Sequence, residues 1–255
     1  MTDFVKRNSE APEEFFAGEA AGLQWLSEVD GGAPCVPVVS VDATSLTLRR
    51  LDSVNPTPQA AAEFGSRLAI THDGGAAGFG AGPDGWHGPG FFGPLSRPLP
   101  MSLRPCRRWG EFYADERLAP MAELAAPRLD AATRAAVSEV AARCRAGDYD
   151  DDDSPARLHG DLWGGNVMWT PDGVVLIDPA AHGGHRENDL AMLALFGCPH
   201  YDAIIDGYQR VHPLRPGWRT RIGLHQLFAL LAHVVLFGGG HAQRTGVCAR
   251  AALAL

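Results

Sequence analysis

The residues best suited to chemistry lie in the segment 159–166, which reads His-Gly-Asp-Leu-Trp-Gly-Gly-Asn. Asp161 is followed five residues later by Asn166, and Asp178 lies in the Ile-Asp-Pro segment that comes next. Transfer of a phosphoryl group to a hydroxyl needs a carboxylate that accepts or orients the hydroxyl proton, and oxygen ligands that hold Mg²⁺ on the phosphates. This spacing matches the catalytic loop His-Arg-Asp-x-x-x-x-Asn, with Gly160 in place of Arg. We therefore predict Asp161 as the base and Asn166 and Asp178 as metal ligands.

A simpler interpretation of the same three residues is structural. Asp and Asn often cap β-turns, and an Asp before a proline can be an ordinary turn residue. Each residue taken alone favours that interpretation. The three together, spaced over a strand, a turn and a second strand, favour chemistry instead. Gly164 and Gly165 are expected to let the backbone turn tightly between the base and the first metal ligand.

Two upstream residues, Lys6 and Glu19, complete this set. In kinases a strand lysine contacts the phosphates and is held by a glutamate on a helix. Lys6 follows Phe-Val in a predicted strand, and Glu19 lies on the predicted next helix, on the same stripe as Phe15 and Leu26. A carboxylate near a buried face needs a partner, and Lys6 is the candidate. The alternative is that Lys6 is a surface lysine near a frayed chain start.

Other polar residues near the motif are interpreted as structural. His182 and His185 lack a zinc-site spacing with nearby cysteines or carboxylates, so we predict no metal there. Asp189 is expected to hydrogen-bond the backbone of the catalytic loop, and His159 to support the loop as well. The acidic run at 148–153 is expected to be a solvated loop, because it lacks the glycine and distal glutamate of a calcium loop.

The elements that must position these residues follow from periodicity and turn signals. A strand at 4–6, a helix at 12–28 and a hairpin of strands at 36–41 and 46–48 form a small mixed segment. A helix follows Pro58, and the Gly- and Pro-rich segment 73–100 is expected to be an ordered binding loop because of its aromatic residues. Two helices, a short β-ribbon around the motif and a helical remainder from Glu187 follow. The predicted helical elements before the ribbon span residues 109–126 and 129–145.

Composition limits the classes of partner. The chain has 255 residues, 22 Lys and Arg against 30 Asp and Glu, and a net charge of −8. This acidity argues against nucleic-acid binding, which needs clustered basic residues. Five scattered cysteines and the lack of a secretory leader favour the reducing cytosol. The apolar segment 222–237 contains two histidines and a glutamine, so we expect a core helix and no membrane partner.

Several segments resemble the fructosamine (ketosamine) kinase family, which is related to the aminoglycoside and choline phosphotransferases. Besides the catalytic motif, they are Ile-Asp-Pro-Ala at 177–180, Gly-Gly-His-Arg-Glu at 183–187, Asp-Leu-Ala-Met at 189–192 and Trp-Gly-Glu-Phe-Tyr at 109–113. The resemblance extends over nearly the whole chain. It implies an α+β, two-lobed protein-kinase-like fold, with a truncated N-terminal lobe at 1–52 and a mostly helical C-terminal lobe at 53–255.

The resemblance also implies a donor and its binding residues. Mg-ATP is expected as the donor, and Lys6 and Glu19 would take the roles described above. The nucleotide would bind to backbone groups near Arg49, Arg50 and Leu51.

An acceptor is implied in the same way. It would be the sugar-derived part of a ketosamine, which is a glycated amine, phosphorylated on a hydroxyl. Trp163, Trp109 and Glu187 would contact this small-molecule substrate. For Trp163, an aromatic face suits a sugar ring and a cationic amine, and ordinary core packing is the open alternative.

The start of the chain departs from the family pattern. Family members carry two strands and a Gly-rich turn before the strand with the lysine, whereas three residues precede Phe4 here. Three residues reach about 10 Å and cannot supply those strands, so we expect the nucleotide phosphates to lack that cover. Two alternatives therefore stay open at this point: a non-catalytic binding protein that has lost ATP use, and a kinase for an aminoglycoside or amino-sugar acceptor.

Overall fold

The N-terminal part of the protein is a small sheet packed against one helix. The computed structural model describes residues 3–255, so Met1 and Thr2, on which the expectation of a missing loop rests in part, lie outside it. Strands β1 (Asp3–Arg7), β2 (Val38–Val41) and β3 (Ser45–Arg49) form an antiparallel sheet in the order β1-β3-β2. Lys6 pairs with Leu46 across β1 and β3. Helix α1 (Phe15–Ser27) packs its apolar residues into the same core as Leu46 and Leu48.

Two glycines bring the next helix, α2 (Pro58–Asp73), unusually close to α7 (Tyr201–Val211). A Cβ atom on Gly65 would lie 1.9 Å from the carbonyl oxygen of Ile204, and one on Gly207 would lie 1.9 Å from that of Ala62. No larger residue fits at either contact without separating the helices. This crossing brings the buried side chains of His72 on α2 and Tyr208 on α7 side by side.

The segment after α2 is ordered, as its aromatic residues predicted. It carries strand β4 (Gly90–Phe92), which pairs antiparallel with β5 (Leu99–Met101). The sequence did not predict either strand, because each has three residues and lies among glycines and prolines. Phe79 and Phe92 are buried in the core of the C-terminal part, and they anchor the two ends of the loop.

The C-terminal part is mostly helical. Its first helical run comprises α3 (Trp109–Phe112), a π-helical stretch at Tyr113–Leu118, α4 (Ala119–Ala125) and a 3₁₀ turn at Ala126–Arg128. Helix α5 (Ala131–Ala146) follows, and Asp130 caps its start by accepting from Thr133 N–H. Gly147, with φ +92°, ends α5 in the left-handed conformation typical of helix C-termini.

A β-ribbon carries the predicted catalytic motif between the helices that precede it and those that follow it. Strand β6 (Ala156–Leu158) pairs with β9 (His182–Gly184), and β7 (Val167–Thr170) forms a hairpin with β8 (Gly173–Leu176). Strand β9 was not predicted. The segment 159–166, predicted to be catalytic, runs from the end of β6 to the start of β7 and includes a 3₁₀ turn at Gly164–Asn166.

The chain ends with four helices, and the longest lies in the core. After α6 (Glu187–Phe196) and α7 come α8 (Trp218–Phe237) and α9 (His241–Ala252). By length and composition α8 could cross a membrane, with a mean hydropathy of 1.4, but 61% of that stretch is buried inside the protein. It packs against α4, α6 and α9, so its apolar character is that of a core helix. All five cysteines are buried free thiols.

Candidate active site

A cleft of about 350 Å³ lies between the N-terminal sheet, the β-ribbon and the loop before α3. Lys6 and Glu19 line it on one side, and Asp161, Asn166 and Asp178 line it on another. Residues distant in sequence thus converge on one concave surface, as expected of a binding site. The predicted base, metal ligands and lysine–glutamate pair all meet here.

Gly160 fixes the backbone just before Asp161. Its φ of +82° lies in the left-handed region, where a side chain is strained, and a Cβ atom would lie 2.1 Å from the carbonyl oxygen of Ala180. The glycine that replaces the usual arginine of the motif is therefore required by geometry. The backbone of the loop therefore lies directly against Ala180, two residues before β9 begins.

Asp189 fixes the same loop through hydrogen bonds to its backbone. Its buried carboxylate accepts hydrogen bonds from the backbone N–H groups of His159 (2.8 Å) and Gly160 (3.0 Å). This confirms the predicted contact of Asp189 with the loop backbone. A buried carboxylate that receives several N–H groups is a strong anchor, because charge-assisted hydrogen bonds are about twice as strong as neutral ones.

A buried relay of side chains continues from Asp189 toward the surface. His72 on α2 lies between Asp189 (Nε2 to Oδ2, 3.2 Å) and Tyr208 on α7 (Nδ1 to OH, 2.8 Å). Arg186 donates to the Tyr208 hydroxyl (2.9 Å) and to Asp73 (3.0 Å). The carboxylate of Asp189 can only accept, so Nε2 of His72 carries the proton and donates to it. Burial lowers the pKa of His72 and keeps the ring neutral, so Nδ1 accepts from the Tyr208 hydroxyl, which in turn accepts from Arg186. The relay thus depends on the close crossing of α2 and α7.

His159 is a structural residue of the loop, as predicted. Its Nδ1 accepts from the backbone N–H of Asp161 (3.2 Å), so the proton lies on Nε2, which donates to the carbonyl of Ile177 (2.8 Å). Burial lowers the pKa of the imidazole, which keeps it neutral. The ring thereby joins the residue before the predicted metal ligand Asp178 to the predicted base.

The oxygens of Asn166 and Asp178 suit a hard cation. The amide nitrogen of Asn166 donates to the backbone carbonyls of Asp161 (2.8 Å) and Asp178 (3.4 Å), which orients the side chain and leaves Oδ1 free of those bonds. Asp178 has φ +55°, a strained conformation for a residue with a side chain and one that concentrates at functional sites. Carboxylate and amide oxygens are the ligands that Mg²⁺ takes, so the residues present fit the implied ion.

Lys6 forms the ion pair that the sequence predicted. Its Nζ lies 2.7 and 2.8 Å from the two carboxylate oxygens of Glu19 and 3.0 Å from Oδ1 of Asp178. Burial alone would lower the pKa of Lys6, but the charges of Glu19 and Asp178 outweigh it and raise that pKa. The lysine is therefore a fixed cation at the boundary between the sheet and the ribbon.

Asp161 lies in surroundings that suit proton transfer. Burial, and then the negative charges of Asp178 and Asp189, raise the pKa of its carboxyl to about 7. A general base works best when its pKa is near the operating pH. The environment is therefore compatible with the predicted role of Asp161.

Trp163 lies at the open side of the cleft, with 41% of its surface exposed. Its indole lies over Gly165, where a Cβ atom would come within 2.2 Å of the ring, and a Cβ on Gly164 would lie 2.8 Å from the carbonyl oxygen of Gly197. Neither glycine has a positive φ. The predicted tight turn is present as the 3₁₀ turn at Gly164–Asn166, and the glycines are needed in it because they make room for neighbouring atoms.

Three predicted nucleotide-contacting residues lie at the end of β3. Arg49 donates its backbone N–H to Pro37 (2.9 Å) and pairs through its side chain with Asp3 (3.2 Å). Arg50 is exposed and Leu51 half-buried. The three residues lead from the N-terminal sheet toward α2 and do not belong to the lining of the cleft. Their contact with a nucleotide stays a prediction.

The structure does not bring Trp109 or Glu187 to the cleft. Trp109 is 4% exposed and its ring stacks on Tyr113 at 4.9 Å. Glu187 is 3% exposed and its carboxylate receives two hydrogen bonds from Arg221, at 2.6 and 2.9 Å. Both side chains are enclosed by protein and do not belong to the lining of the cleft, so their contact with a substrate stays a prediction.

A second group of ligand-type atoms surrounds Glu187. Atoms of His185, Glu187 and His225 lie within 4.8 Å of one another, and His185 also approaches Asp151. These groups already have partners in the protein: Arg221 binds Glu187, Glu187 N–H donates to Nδ1 of His185, and His225 bonds to Asn188. The cluster is therefore accounted for as a network of buried ion pairs and hydrogen bonds.

Sequence reasoning missed the contribution of helix α8 to the cleft. His233, Leu236 and Phe237, at the C-terminal end of this helix, all line it. The apolar pattern of 222–237 was interpreted entirely as core. The signal that could have found them is the three-glycine end at 238–240, which stops a buried helix abruptly beside an aromatic residue.

Comparison with known proteins places this geometry in a family. The family model described as fructosamine kinase matches residues 2–254. A Synechocystis protein named "probable ketoamine kinase" is 32% identical over 246 residues, which cover 94% of this chain and 79% of that protein. Several further curated relatives match over less than half of their own length.

Solved structures agree with these sequence matches. A Thermobifida fusca protein named "putative fructosamine-3-kinase" is 46% identical with a TM-score of 0.90, covering 99% of this chain and 86% of that one. A choline/ethanolamine kinase family protein from Mesorhizobium loti has a TM-score of 0.64 at 15% identity, covers 99% and 85% of the two chains, and shows the shared fold alone. The fold is the predicted two-lobed, α+β protein-kinase-like fold, and the chain belongs to the fructosamine kinase family of phosphotransferases.

Proposed function

We propose that this protein transfers the γ-phosphoryl group of Mg-ATP to a sugar hydroxyl of a ketosamine. The convergence of Asp161, Asn166, Asp178 and Lys6 on one cleft carries this proposal. The acceptor class is supported by the ketoamine kinases among the relatives. In this proposal residues 1–52 contribute the nucleotide side of the cleft, and residues 53–255 contribute the base and the acceptor side.

Asp161 acts as the base. Its carboxylate accepts the proton of the acceptor hydroxyl while the hydroxyl oxygen forms a bond to the γ-phosphorus, and the bond from that phosphorus to the β–γ bridging oxygen breaks to release ADP. The raised pKa of Asp161 favours this proton transfer near neutral pH. Asp189, through the backbone of His159 and Gly160, keeps the carboxylate in position.

Lys6, Asn166 and Asp178 act on the donor. Asn166 and Asp178 would hold Mg²⁺, which when bound neutralises charge on the phosphates. Lys6, held by Glu19 at 2.7 and 2.8 Å, presents a fixed ammonium to the same phosphates. Positioning and charge stabilisation account for most of the catalysis in phosphoryl transfer.

The test replaces Asp161 by asparagine and uses Asp172→Asn as the matched control. Asp172 is an exposed residue of the turn between β7 and β8. With Mg-ATP and a fructosyl-amine, ADP release should fall about 10²–10⁴-fold in Asp161→Asn, which is the usual contribution of a general base. Asp172→Asn should retain wild-type turnover.

Turnover of Asp161→Asn at the wild-type rate would contradict the assignment of the base. If the wild-type protein binds neither ATP nor a ketosamine by calorimetry, the proposed function fails. Binding of a ketosamine without ATP binding would identify a non-catalytic binding protein instead.

A further inference from the structure

Four ring-bearing side chains form a continuous surface at the outer edge of the cleft. Trp163 packs edge-on against Phe196 at 6.3 Å between ring centroids, Phe196 lies 4.7 Å from His233, and His233 lies 5.3 Å from Phe237. Trp163, His233 and Phe237 line the cleft itself, while Phe196 supports two of them. We call these four residues the aromatic rim.

The aromatic rim is exposed to an unusual degree. Phe237 is 61% exposed, and Trp163 and Phe196 are 41% and 40% exposed. A contiguous group of exposed apolar side chains beside a cleft marks a binding surface more often than a group scattered over the protein. Because the rim begins two residues after Asp161 and its exposed rings line the same cleft, it suits the part of an acceptor that lies beyond the reacting sugar.

The wall facing this rim is also largely apolar. The loop before α3 contributes Trp86, Phe91, Leu95 and Leu103 to the lining of the cleft. Phe91 is held in place by Phe15 of α1, at 5.4 Å between ring centroids. A group that enters between the two walls therefore meets rings and aliphatic side chains, which favour apolar groups and single cations over many charges.

The cleft offers few carboxylates that could pair with the ammonium groups of an acceptor. Among residues 3–255, the acidic side chains that line it are Glu19, Asp161 and Asp178. Lys6 contacts two of them, Glu19 and Asp178, and Asp161 is the proposed base. An acceptor with several ammonium groups would bury charges there without partners, which is costly.

His233 does not add charge to the aromatic rim. Its Nδ1 donates to the carbonyl of Ala229 at 2.7 Å, and burial lowers the pKa of the imidazole. A neutral ring is compatible with one ammonium group lying nearby. It does not supply the negative charge that a polyamine needs.

We propose that the aromatic rim binds the substituent on the nitrogen of the acceptor, and that the preferred acceptors are ketosamines made from one apolar or aromatic amine. Polyamine-derived acceptors are disfavoured. This inference rests on the proposed function and specifies its substrate class. Trp163 and Phe237 are the specificity-determining residues that face the substituent.

The experiment compares three acceptors that share the fructosyl group: N-fructosyl-benzylamine, N-fructosyl-methylamine and N-fructosyl-spermidine. We expect kcat/KM to be about tenfold higher for the benzyl than for the methyl compound, since added apolar contacts discriminate by 10- to 200-fold. The spermidine compound should be the poorest. In Phe237→Ala the benzyl-to-methyl ratio should fall at least threefold.

Leu124→Ala is the matched control, because Leu124 is 50% exposed on α4 and lies outside the cleft. Its benzyl-to-methyl ratio should equal that of the wild type. A wild-type ratio near one, or a ratio that Phe237→Ala leaves unchanged, would overturn the inference. If no ketosamine is turned over, the proposed function fails separately. Dissociation constants from calorimetry then test the aromatic rim by itself. Binding of the benzyl compound tenfold tighter than the methyl compound supports the inference, and equal dissociation constants overturn it.

Discussion

Replacing Gly160 by alanine should destabilise the protein by more than backbone strain alone. The new Cβ atom would lie 2.1 Å from the carbonyl oxygen of Ala180, 2.9 Å from its carbon and 2.8 Å from Nδ1 of His182. Two of these three atoms are backbone, so they cannot turn aside as a flexible side chain could. The Ala180 N–H also donates to the backbone carbonyl of His159 at 2.9 Å, and a shift of Ala180 would disturb that hydrogen bond.

The size of the effect follows from two contributions. An alanine in the left-handed region costs about 1–2 kcal/mol relative to glycine. Forcing backbone apart in a packed region costs roughly 1–3 kcal/mol more. We therefore expect Gly160→Ala to lower the free energy of unfolding by about 2–5 kcal/mol in total.

Gly85→Ala is the matched control. Gly85 has φ +76°, close to the +82° of Gly160, but a Cβ atom there would meet no other atom within 4 Å. It therefore reports the strain alone, at about 1–2 kcal/mol. Urea denaturation of both variants, followed by tryptophan fluorescence, isolates the contact with Ala180 as the difference between them.

Turnover provides a second measurement. Because Asp161 follows Gly160 directly, a displaced loop should lower kcat, and misplacement by about 1 Å costs on the order of 10²-fold. If the free energies of unfolding of Gly160→Ala and Gly85→Ala differ by less than about 0.5 kcal/mol, the contact with Ala180 does not destabilise the variant as expected, because that contact should add at least about 1 kcal/mol.

Two further predictions concern buried polar groups. Tyr208→Phe removes the hydroxyl between Arg186 and His72 and should cost about 1–3 kcal/mol of unfolding free energy, because buried partners are left unsatisfied. Tyr149→Phe should cost less, because Tyr149 is only partly buried where its hydroxyl donates to the carbonyl of Ala252. Equal losses of the two variants in urea denaturation would contradict the relay. Burial alone would raise the pKa of Glu187, but hydrogen bonds from His225 and Arg221 lower it to about 2 from 4.5. The stability from Glu187 is thus present above pH 4.5 and lost as the pH falls toward 2, by about 3 kcal/mol, and a Glu187→Gln variant whose urea midpoints fall as steeply with acid as those of the wild type would argue against it.

The convergence of Asp161, Asn166 and Asp178 on one cleft could be predicted from sequence because the three residues are close along the chain. Asp161, Asn166 and Asp178 lie within 18 consecutive positions, joined by short strands whose geometry leaves few arrangements. The Lys6–Glu19 ion pair could also be predicted from sequence. A strand lysine followed by a helix with a carboxylate near its buried face limits the partners that the carboxylate can find.

The relay behind the loop could not be predicted in the same way. His72 meets Asp189 and Tyr208 only because Gly65 and Gly207 let α2 and α7 approach closely, and no local pattern specifies that crossing. Periodicity also assigned the end of α8 to the core, because it reports which face of a helix is apolar and not what that face contacts.

The burial of Trp109 shows a further limit. A tryptophan in a motif can serve packing or recognition, and the sequence carries no sign of which one applies. Trp163 and Trp109 were predicted alike as substrate contacts, yet one is 41% exposed in the cleft and the other 4% exposed in the core.

The contact between Gly165 and Trp163 has a consequence for how this sequence can evolve. An alanine at position 165 would overlap the indole at 2.2 Å, but the ring is on an exposed side chain that can swing outward, so the fold would survive the change. Selection for stability alone would leave the position open to drift. Selection for the acceptor would not, because the displaced ring would alter the cleft. A side chain at 165 could therefore be accommodated without displacing the indole only after a smaller residue had replaced Trp163, which makes the order of the two substitutions matter.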